Sequence, residues 1–116
     1  MIVKQTIEKK VEDKFQVARK YYAFLFDLNG IKLNKSELDL VAFCAIHGTF
    51  STPPVREQFI KEFKVHKNTV YNILSKLQKK KILTKDRDKK IRVNPSILID
   101  FSKPIVLQVK LWYEEK

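Results

Sequence analysis

The chain has 116 residues, enough for one compact domain, and its 44% hydrophobic content with only two glycines favours a folded, largely helical protein over a disordered tail. No apolar run reaches the roughly 20 residues of a membrane span, the first ten residues are too charged for a signal peptide, and a single cysteine cannot form an internal disulfide, so a cytoplasmic protein is expected. The formal net charge is +11, which argues only for solubility unless the charge is concentrated in one part of the chain.

Residues 1–32 are predicted to form an N-terminal extension. Residues 2–8 alternate weakly between apolar and polar side chains, which predicts a short strand. From about residue 10 to residue 28 the apolar period is helical. One broad face of that helix carries Val11, Phe15, Ala18, Tyr22, Leu25 and Phe26, and a second flank carries Tyr21, Phe24 and Leu28. This is more apolar surface than one face can bury, so either other elements of the domain cover the helix or it forms a homodimer interface.

A second helix is predicted to begin in the sequence LNKSEL and to run to about His47. Asn34 can cap it, Glu37 can complete a capping box three residues later, and Gly48 can end it. Its predicted core residues are Leu38, Val41, Ala42 and Ala45. A third helix should follow, capped by Ser51 or Thr52, because Pro53 and Pro54 are well tolerated in a first helical turn.

The most informative pattern is a fourth helix over residues 67–80. Its apolar stripe, at helical spacing, consists of Val70, Ile73, Leu74 and Leu77. The opposite face carries Asn68, Asn72, Ser75 and Lys79, with Tyr71 and Lys76 on its flanks. A solvent-facing helix more often mixes glutamate and lysine, whereas this one has no acidic residue. Short amides and a hydroxyl can meet base edges, and lysine and tyrosine can meet phosphates.

Two short apolar runs, residues 82–84 and 91–93, predict a β-hairpin around the charged turn 85–90. Asp86 and Asp88 are expected to shape this turn by accepting hydrogen bonds from their own backbone. Asn94 and Pro95 should end the second strand, and residues 96–100 could form one helical turn. Residues 105–113 alternate cleanly and predict a long C-terminal strand, paired with the N-terminal strand of the same chain or of a second chain.

The positive charge is concentrated in one part of the chain. Between residues 64 and 92 there are eleven lysines or arginines against two acids, which gives +9 of the total +11. Such a local excess favours a polyanion bound to that region. The competing interpretation is that a lysine-rich sequence simply places lysine on any solvated face.

The order helix, turn, helix and hairpin in residues 36–93 resembles the winged helix-turn-helix family. Phe59, Phe63, Val65, Val70 and Ile73 fall where that family needs apolar residues, and VHKNTVYNILSKL followed by KKKIL resembles its recognition helix and first wing strand. Two positions depart from the pattern: Ile60 stands where a small residue is usual, and Lys64 where glycine often makes the turn. The full chain also resembles small winged-helix proteins of tailed bacteriophages.

The resemblance implies a mainly α fold with a small β component. A three-helix core with a hairpin wing (34–93) would carry an added N-terminal helix and terminal strands, the last in residues 94–116, within one domain. It also implies that helix 67–80 enters the major groove of double-stranded DNA, while the wing meets the adjacent backbone or minor groove. The expected contact residues are Lys67, Asn68, Thr69, Tyr71, Asn72, Ser75, Lys76, Lys79, Lys80, Lys85, Arg87, Lys89 and Lys90.

The leading hypothesis is therefore a DNA-binding transcriptional regulator. The competing one is a winged-helix assembly module, such as a phage structural or replication-complex component located in the virion. No catalytic motif or phosphate-binding loop is present, so neither enzymatic activity nor a cofactor is expected. Cys44 and His47 are spaced as two metal ligands on one helix, but a structural zinc site needs about four, so no metal site is predicted.

Overall fold

A computed structural model describes residues 1–115 and is mainly helical with one small antiparallel hairpin, which confirms the coarse fold class. The helices are α1 (Lys14–Leu28), α2 (Lys35–His47), α3 (Pro53–Phe63) and α4 (Lys67–Lys79). The strands β1 (Leu83–Lys85) and β2 (Ile91–Val93) follow, and then a short 3-10 turn (Pro95–Ile97). No helix in the described part of the chain is long and apolar enough to cross a membrane.

Helix α1 begins four residues later than the apolar period predicts. The Asp13 carboxylate accepts a hydrogen bond from the Gln16 N–H at 2.8 Å, so Asp13 is the N-cap and the helix starts after it. Ala18, Tyr22 and Phe26 are buried as predicted. The buried Tyr22 hydroxyl donates to the Ile97 carbonyl oxygen at 3.0 Å, which ties α1 to the 3-10 turn.

Helix α2 is the centre of the domain. The predicted capping box is present: the Glu37 N–H donates to the Asn34 side chain at 2.9 Å, and the Asn34 N–H donates to the Glu37 carboxylate at 2.8 Å. Gly48 ends the helix in the left-handed conformation, with φ of 83°. Every residue from 37 to 44 is buried, including Glu37 and Asp39, whereas Ala45 is only partly buried. This helix is therefore buried on all sides rather than on one stripe.

An aromatic cluster around Phe59 packs α1 and α3 against α2. The ring of Phe59 lies 5.3 Å from Phe43, 5.4 Å from Phe50 and 4.8 Å from Phe63, measured between ring centroids. Phe15 of α1 lies 5.5 Å from Phe63. Tilted and edge-on contacts at these distances are favourable for aromatic pairs. The cluster therefore joins α1, α2 and α3 in one core.

The connection between α3 and α4 is tight. Lys64 adopts the left-handed conformation, with φ of 53° and ψ of 44°, at the position where a glycine was expected from the family pattern. The His66 Nδ1 atom accepts from the Asn68 N–H at 3.1 Å and so caps α4. Thr52 occupies the N-cap position of α3 without a side-chain hydrogen bond to that helix.

The hairpin is short and firmly attached to the connector before α3. Its register pairs Leu83 with Val93 and Lys85 with Ile91, so β1 begins one residue later than predicted. The Ile91 carbonyl oxygen accepts from the Phe50 N–H at 3.0 Å, and the Ile91 N–H donates to the Ser51 hydroxyl at 2.5 Å. These bonds fix the position of the hairpin relative to the helices.

The two predicted terminal strands do not pair within the described chain, and their pairing with a second chain stays a prediction. Residues 2–8 and 105–113 have no strand pairing within the chain that the structure describes. We call residues 1–10 the N-terminal arm and residues 103–115 the C-terminal arm. Alternation predicts which side chains share a face, but a strand also needs a hydrogen-bonded neighbour, and neither arm has one here. The single helical turn predicted for residues 96–100 is the 3-10 turn Pro95–Ile97.

The apolar flanks of α1 are covered only in part. The Phe101 ring, just before the C-terminal arm, lies 5.6 Å from Tyr21 and 5.5 Å from Tyr22 between ring centroids. Phe24 and Leu28 remain 47% and 45% exposed. Other elements of the domain thus cover part of the apolar surface of this helix, and a homodimer interface through it stays a prediction.

Candidate nucleic-acid interface

Helix α4 separates a buried stripe from an exposed polar face. Val70, Ile73, Leu74 and Leu77 are all buried, as the spacing predicts. The predicted opposite face, Asn68, Asn72, Ser75 and Lys79, is exposed. Indeed all thirteen predicted contact residues are exposed, on α4 and on the hairpin turn 85–90. The polar groups and cations that sequence reasoning selected are therefore accessible to a large partner.

An ion pair between exposed Lys76 and buried Glu37 links α4 to the central helix α2. The Lys76 ammonium lies 2.7 Å from a Glu37 carboxylate oxygen, and the Glu37 side chain is only 3% exposed. Burial acts to raise the pKa of Glu37, but the hydrogen bond from Lys76, the Asn34 backbone and the charges of Lys76 and Lys80 together lower it. Lys76 is exposed as predicted, yet its charge is already partly neutralised by Glu37.

Tyr71 is flanked by two cations, one of which sequence reasoning missed. The Lys67 ammonium lies 5.9 Å from the Tyr71 ring centroid, and the Arg56 guanidinium lies 5.7 Å from it. The Arg56 Nε atom donates to the Phe50 carbonyl oxygen at 2.8 Å, which holds the side chain in place. The available signal was spacing: Arg56 precedes Phe59 by three residues, so it shares the core-facing side of α3.

These residues surround an open depression between α3, α4 and the hairpin. Its volume is about 460 Å³. The lining residues are Arg56, Tyr71, Leu74, Ser75, Gln78, Lys79, Lys85 and Ile91. Three of them are cations, contributed by α3, α4 and β1 respectively. The fold thus brings Arg56 of α3 close to Lys79 and Lys85, although Arg56 lies far from both in the sequence.

The hairpin turn is shaped by one aspartate. The Asp86 carboxylate accepts from the Asp88 N–H at 2.9 Å, the Lys90 N–H at 3.0 Å and the Arg92 Nε at 2.5 Å. These hydrogen bonds, that from Arg92 above all, lower the pKa of Asp86. The prediction for Asp86 is confirmed, whereas Asp88 takes part through its backbone N–H.

The same turn leaves its cations free for a partner. Lys85, Arg87, Lys89 and Lys90 are all exposed, and Lys89 adopts a positive φ of 60° that turns the chain back towards β2. Because Asp86 is occupied within the turn, its charge does not compensate these side chains directly. The tip therefore presents a cluster of cations on a fixed backbone.

Among residues 1–115, no group of three or more His, Cys, Asp or Glu side chains is placed to hold a metal ion. Cys44 is fully buried, and the His47 ring lies 4.1 Å from the Phe43 ring between centroids.

Comparison of the chain with protein-family models, with curated proteins and with solved structures finds no match. The support for a function therefore comes from the geometry and charge of the site itself.

Proposed function

We propose that the chain is a winged helix-turn-helix protein that binds double-stranded DNA and acts as a transcriptional regulator. In this proposal α4 enters the major groove, and the hairpin acts as the wing on the adjacent backbone or minor groove. The order α2, α3, α4, β1, β2 supports it, as does the tight turn at Lys64.

The observation that carries the proposal is the exposed, acid-free polar face of α4. Residues 67–79 contain no aspartate or glutamate, and their exposed side chains are amides, hydroxyls and lysines. Amides and hydroxyls form hydrogen bonds to base edges, and lysines neutralise phosphates. A helix of 13 residues is roughly 20 Å long and, with its side chains, about as wide as the major groove.

Roles within the site follow from position. Asn68, Asn72 and Ser75 are proposed to read bases, because their short polar side chains lie along the exposed face. Lys79 and Lys85 line the depression between α4 and the hairpin and are proposed to hold phosphates.

The remaining cations are proposed to bind the DNA backbone on either side of these central contacts. Arg56 and Tyr71, held together by a cation–π contact, form a second phosphate-binding position. Arg87, Lys89 and Lys90 of the hairpin turn reach the neighbouring groove.

A second candidate function is an assembly module, for instance a structural or replication-complex component of a phage. The exposed apolar arms favour it, since Val106, Leu111 and Trp112 are 85%, 83% and 70% exposed. Exposed apolar surface of this kind is typical of a segment that binds a protein partner. In this case the exposed cations of α4 and of the hairpin turn 85–90 would bind nucleic acid without sequence preference.

Titration of labelled duplex DNA at several salt concentrations between 50 and 200 mM tests the proposal. About six phosphate contacts predict a log–log slope near −5 for the binding constant. Lys79→Ala and Lys85→Ala should each make the slope less negative by about 0.9. Lys20→Ala, an exposed lysine on α1 outside the site, is the matched control and should leave the slope unchanged. A slope near zero for the wild type would refute DNA binding.

Asn72→Ala separates the two candidate functions. If α4 reads bases, this variant should lose discrimination between a selected sequence and a scrambled one by roughly 1–3 kcal/mol while keeping the salt slope. If the basic face meets nucleic acid without sequence preference, the wild type itself shows no discrimination, and Asn72→Ala changes nothing.

A further inference from the structure

In the described part of the chain the two arms share one property: both lack strand pairing, and both expose large apolar side chains. Besides the terminal Met1, the exposed large apolar residues on them are Ile2, Val3, Ile7, Val106, Leu107, Val109, Leu111, Trp112 and Tyr113. Soluble chains rarely keep so many apolar side chains in water within two short segments. Some surface must therefore cover them.

The C-terminal arm has the pattern of a strand. Ile105, Leu107, Val109, Leu111 and Tyr113 alternate with Val106, Gln108, Lys110 and Trp112. One face is entirely apolar, and the other carries Val106 and Trp112 around two polar residues. An extended segment with a free row of backbone N–H and C=O groups is a template for pairing with another strand.

Both arms leave the domain close to α1. The N-terminal arm leads into α1 at Lys14, and Phe101 packs on Tyr21 and Tyr22 just before the C-terminal arm begins. The pKa of the neighbouring Asp100 is lowered mainly by hydrogen bonds from Ser102, with a further contribution from the charge of Lys14, so these two charges lie near each other. The arms are thus placed to act together.

The two arms of a single chain do not form a stable sheet by pairing only with each other. Pairing them within one copy would give an isolated two-stranded ribbon, which is marginally stable in water and leaves its apolar faces wet. Two copies supply four strands, and a sheet of that size can bury one apolar face. We propose that the arms of one chain pair with the arms of a second copy in a shared β-sheet, which makes the protein a homodimer.

The apolar area of the arms is enough for a weak dimer. At their exposure, Trp112 and Tyr113 together offer roughly 300 Å². The seven exposed aliphatic side chains add roughly 500 Å², at the area per side chain that transfer free energies imply. This total counts both faces of the arms, so one buried face supplies about half of the roughly 800 Å² per partner of a standard stable interface, and the expected dimer is a weak one. This inference does not depend on DNA binding.

Light scattering and tryptophan fluorescence of the full chain test the proposal without DNA. The chain mass is 13.7 kDa, so the expected species has twice that mass and dissociates on dilution. Trp112 is the single tryptophan, and its fluorescence anisotropy should fall as the dimer dissociates, because the C-terminal arm that carries it then moves freely. Val109→Pro, which breaks a strand ladder, and Leu111→Glu, which charges the apolar face, should each give a monomer with an unchanged circular dichroism spectrum in the helical region.

Phe24→Glu is the control, because Phe24 is a 47% exposed apolar residue on α1 and not on an arm. It should remain a dimer. A wild-type monomer at every concentration would overturn the proposal, whether the arms pair within one chain or bind another protein. A dimer that survives Val109→Pro and Leu111→Glu but is lost in Phe24→Glu would overturn it as well.

Discussion

Removing either partner of the Glu37–Lys76 ion pair should destabilise the protein, but by different amounts. The Glu37 carboxylate is 3% exposed, accepts from the Asn34 N–H at 2.8 Å and lies 2.7 Å from the Lys76 ammonium. The Lys76 side chain is 49% exposed. Removal of the lysine therefore leaves the buried Glu37 charge without its counter-ion. Removal of the carboxylate charge, in contrast, leaves a lysine whose ammonium group can reach solvent.

The burial of each partner sets the expected magnitudes. Lys76→Met should cost about 3 kcal/mol, the lower end of what an unpaired buried charge costs, because the Asn34 N–H still binds Glu37. Glu37→Gln should cost about 1 kcal/mol, since glutamine keeps the shape and an acceptor oxygen, and the exposed lysine is rehydrated. At roughly 4 °C per kcal/mol, these losses lower Tm by about 12 °C and about 4 °C.

The pH dependence provides a second readout. Because the folded-state pKa of Glu37 is lowered, its contribution to stability is fully present above about pH 5 and is lost as the pH falls through the folded pKa. The free energy difference between wild type and Glu37→Gln should therefore shrink as the pH is lowered from 7 towards 3.

Thermal and urea unfolding of the wild type and both variants would measure these differences. Lys20→Met is the matched control for Lys76→Met, because Lys20 is an exposed lysine on another helix; it should change the free energy of unfolding by less than about 0.5 kcal/mol. Equal losses for the two ion-pair variants, or a larger loss for Glu37→Gln, would refute the reasoning from burial.

Three further predictions concern single positions. Lys64→Gly should raise the free energy of unfolding by about 1 kcal/mol in urea titrations, because Lys64 has a φ of 53° that glycine adopts without strain; a loss would contradict this. Tyr22→Phe should lower it by about 1 kcal/mol, since the Ile97 carbonyl oxygen loses its donor; an unchanged stability would show that bond to be worth nothing. Burial raises the pKa of the Cys44 thiol to about 12, so alkylation at pH 8 should proceed only through unfolding, and rapid labelling of the folded protein would be inconsistent with the core position.

Local signals in the sequence were sufficient to predict where α2 begins and ends. The capping box of Asn34 and Glu37 and the terminating Gly48 act within a few residues of each helix end, so their chemistry is visible without the fold. The buried stripe of α4 was predictable for the same reason, because its spacing alone selects Val70 and Leu77.

Long-range contacts account for what the sequence did not reveal. Glu37 and Asp39 look like solvent-facing residues of α2, yet both are buried, because Lys76 and Arg19 neutralise them from other helices. Arg56 joins the candidate site only because α3 packs beside α4 and the hairpin. The strands predicted for the two arms do not form within one chain. Alternation specifies which side chains share a face, but it does not specify the neighbouring strand that supplies hydrogen bonds.

The most direct test of the proposed function is an NMR titration of the labelled protein with a duplex obtained by selection from random sequences. The largest amide shifts are predicted in residues 67–79 of α4 and 85–90 of the hairpin turn, with smaller ones at Arg56. Shifts confined to α1 or to the arms, or no shifts with any duplex, would contradict the assignment of the exposed α4 face to DNA.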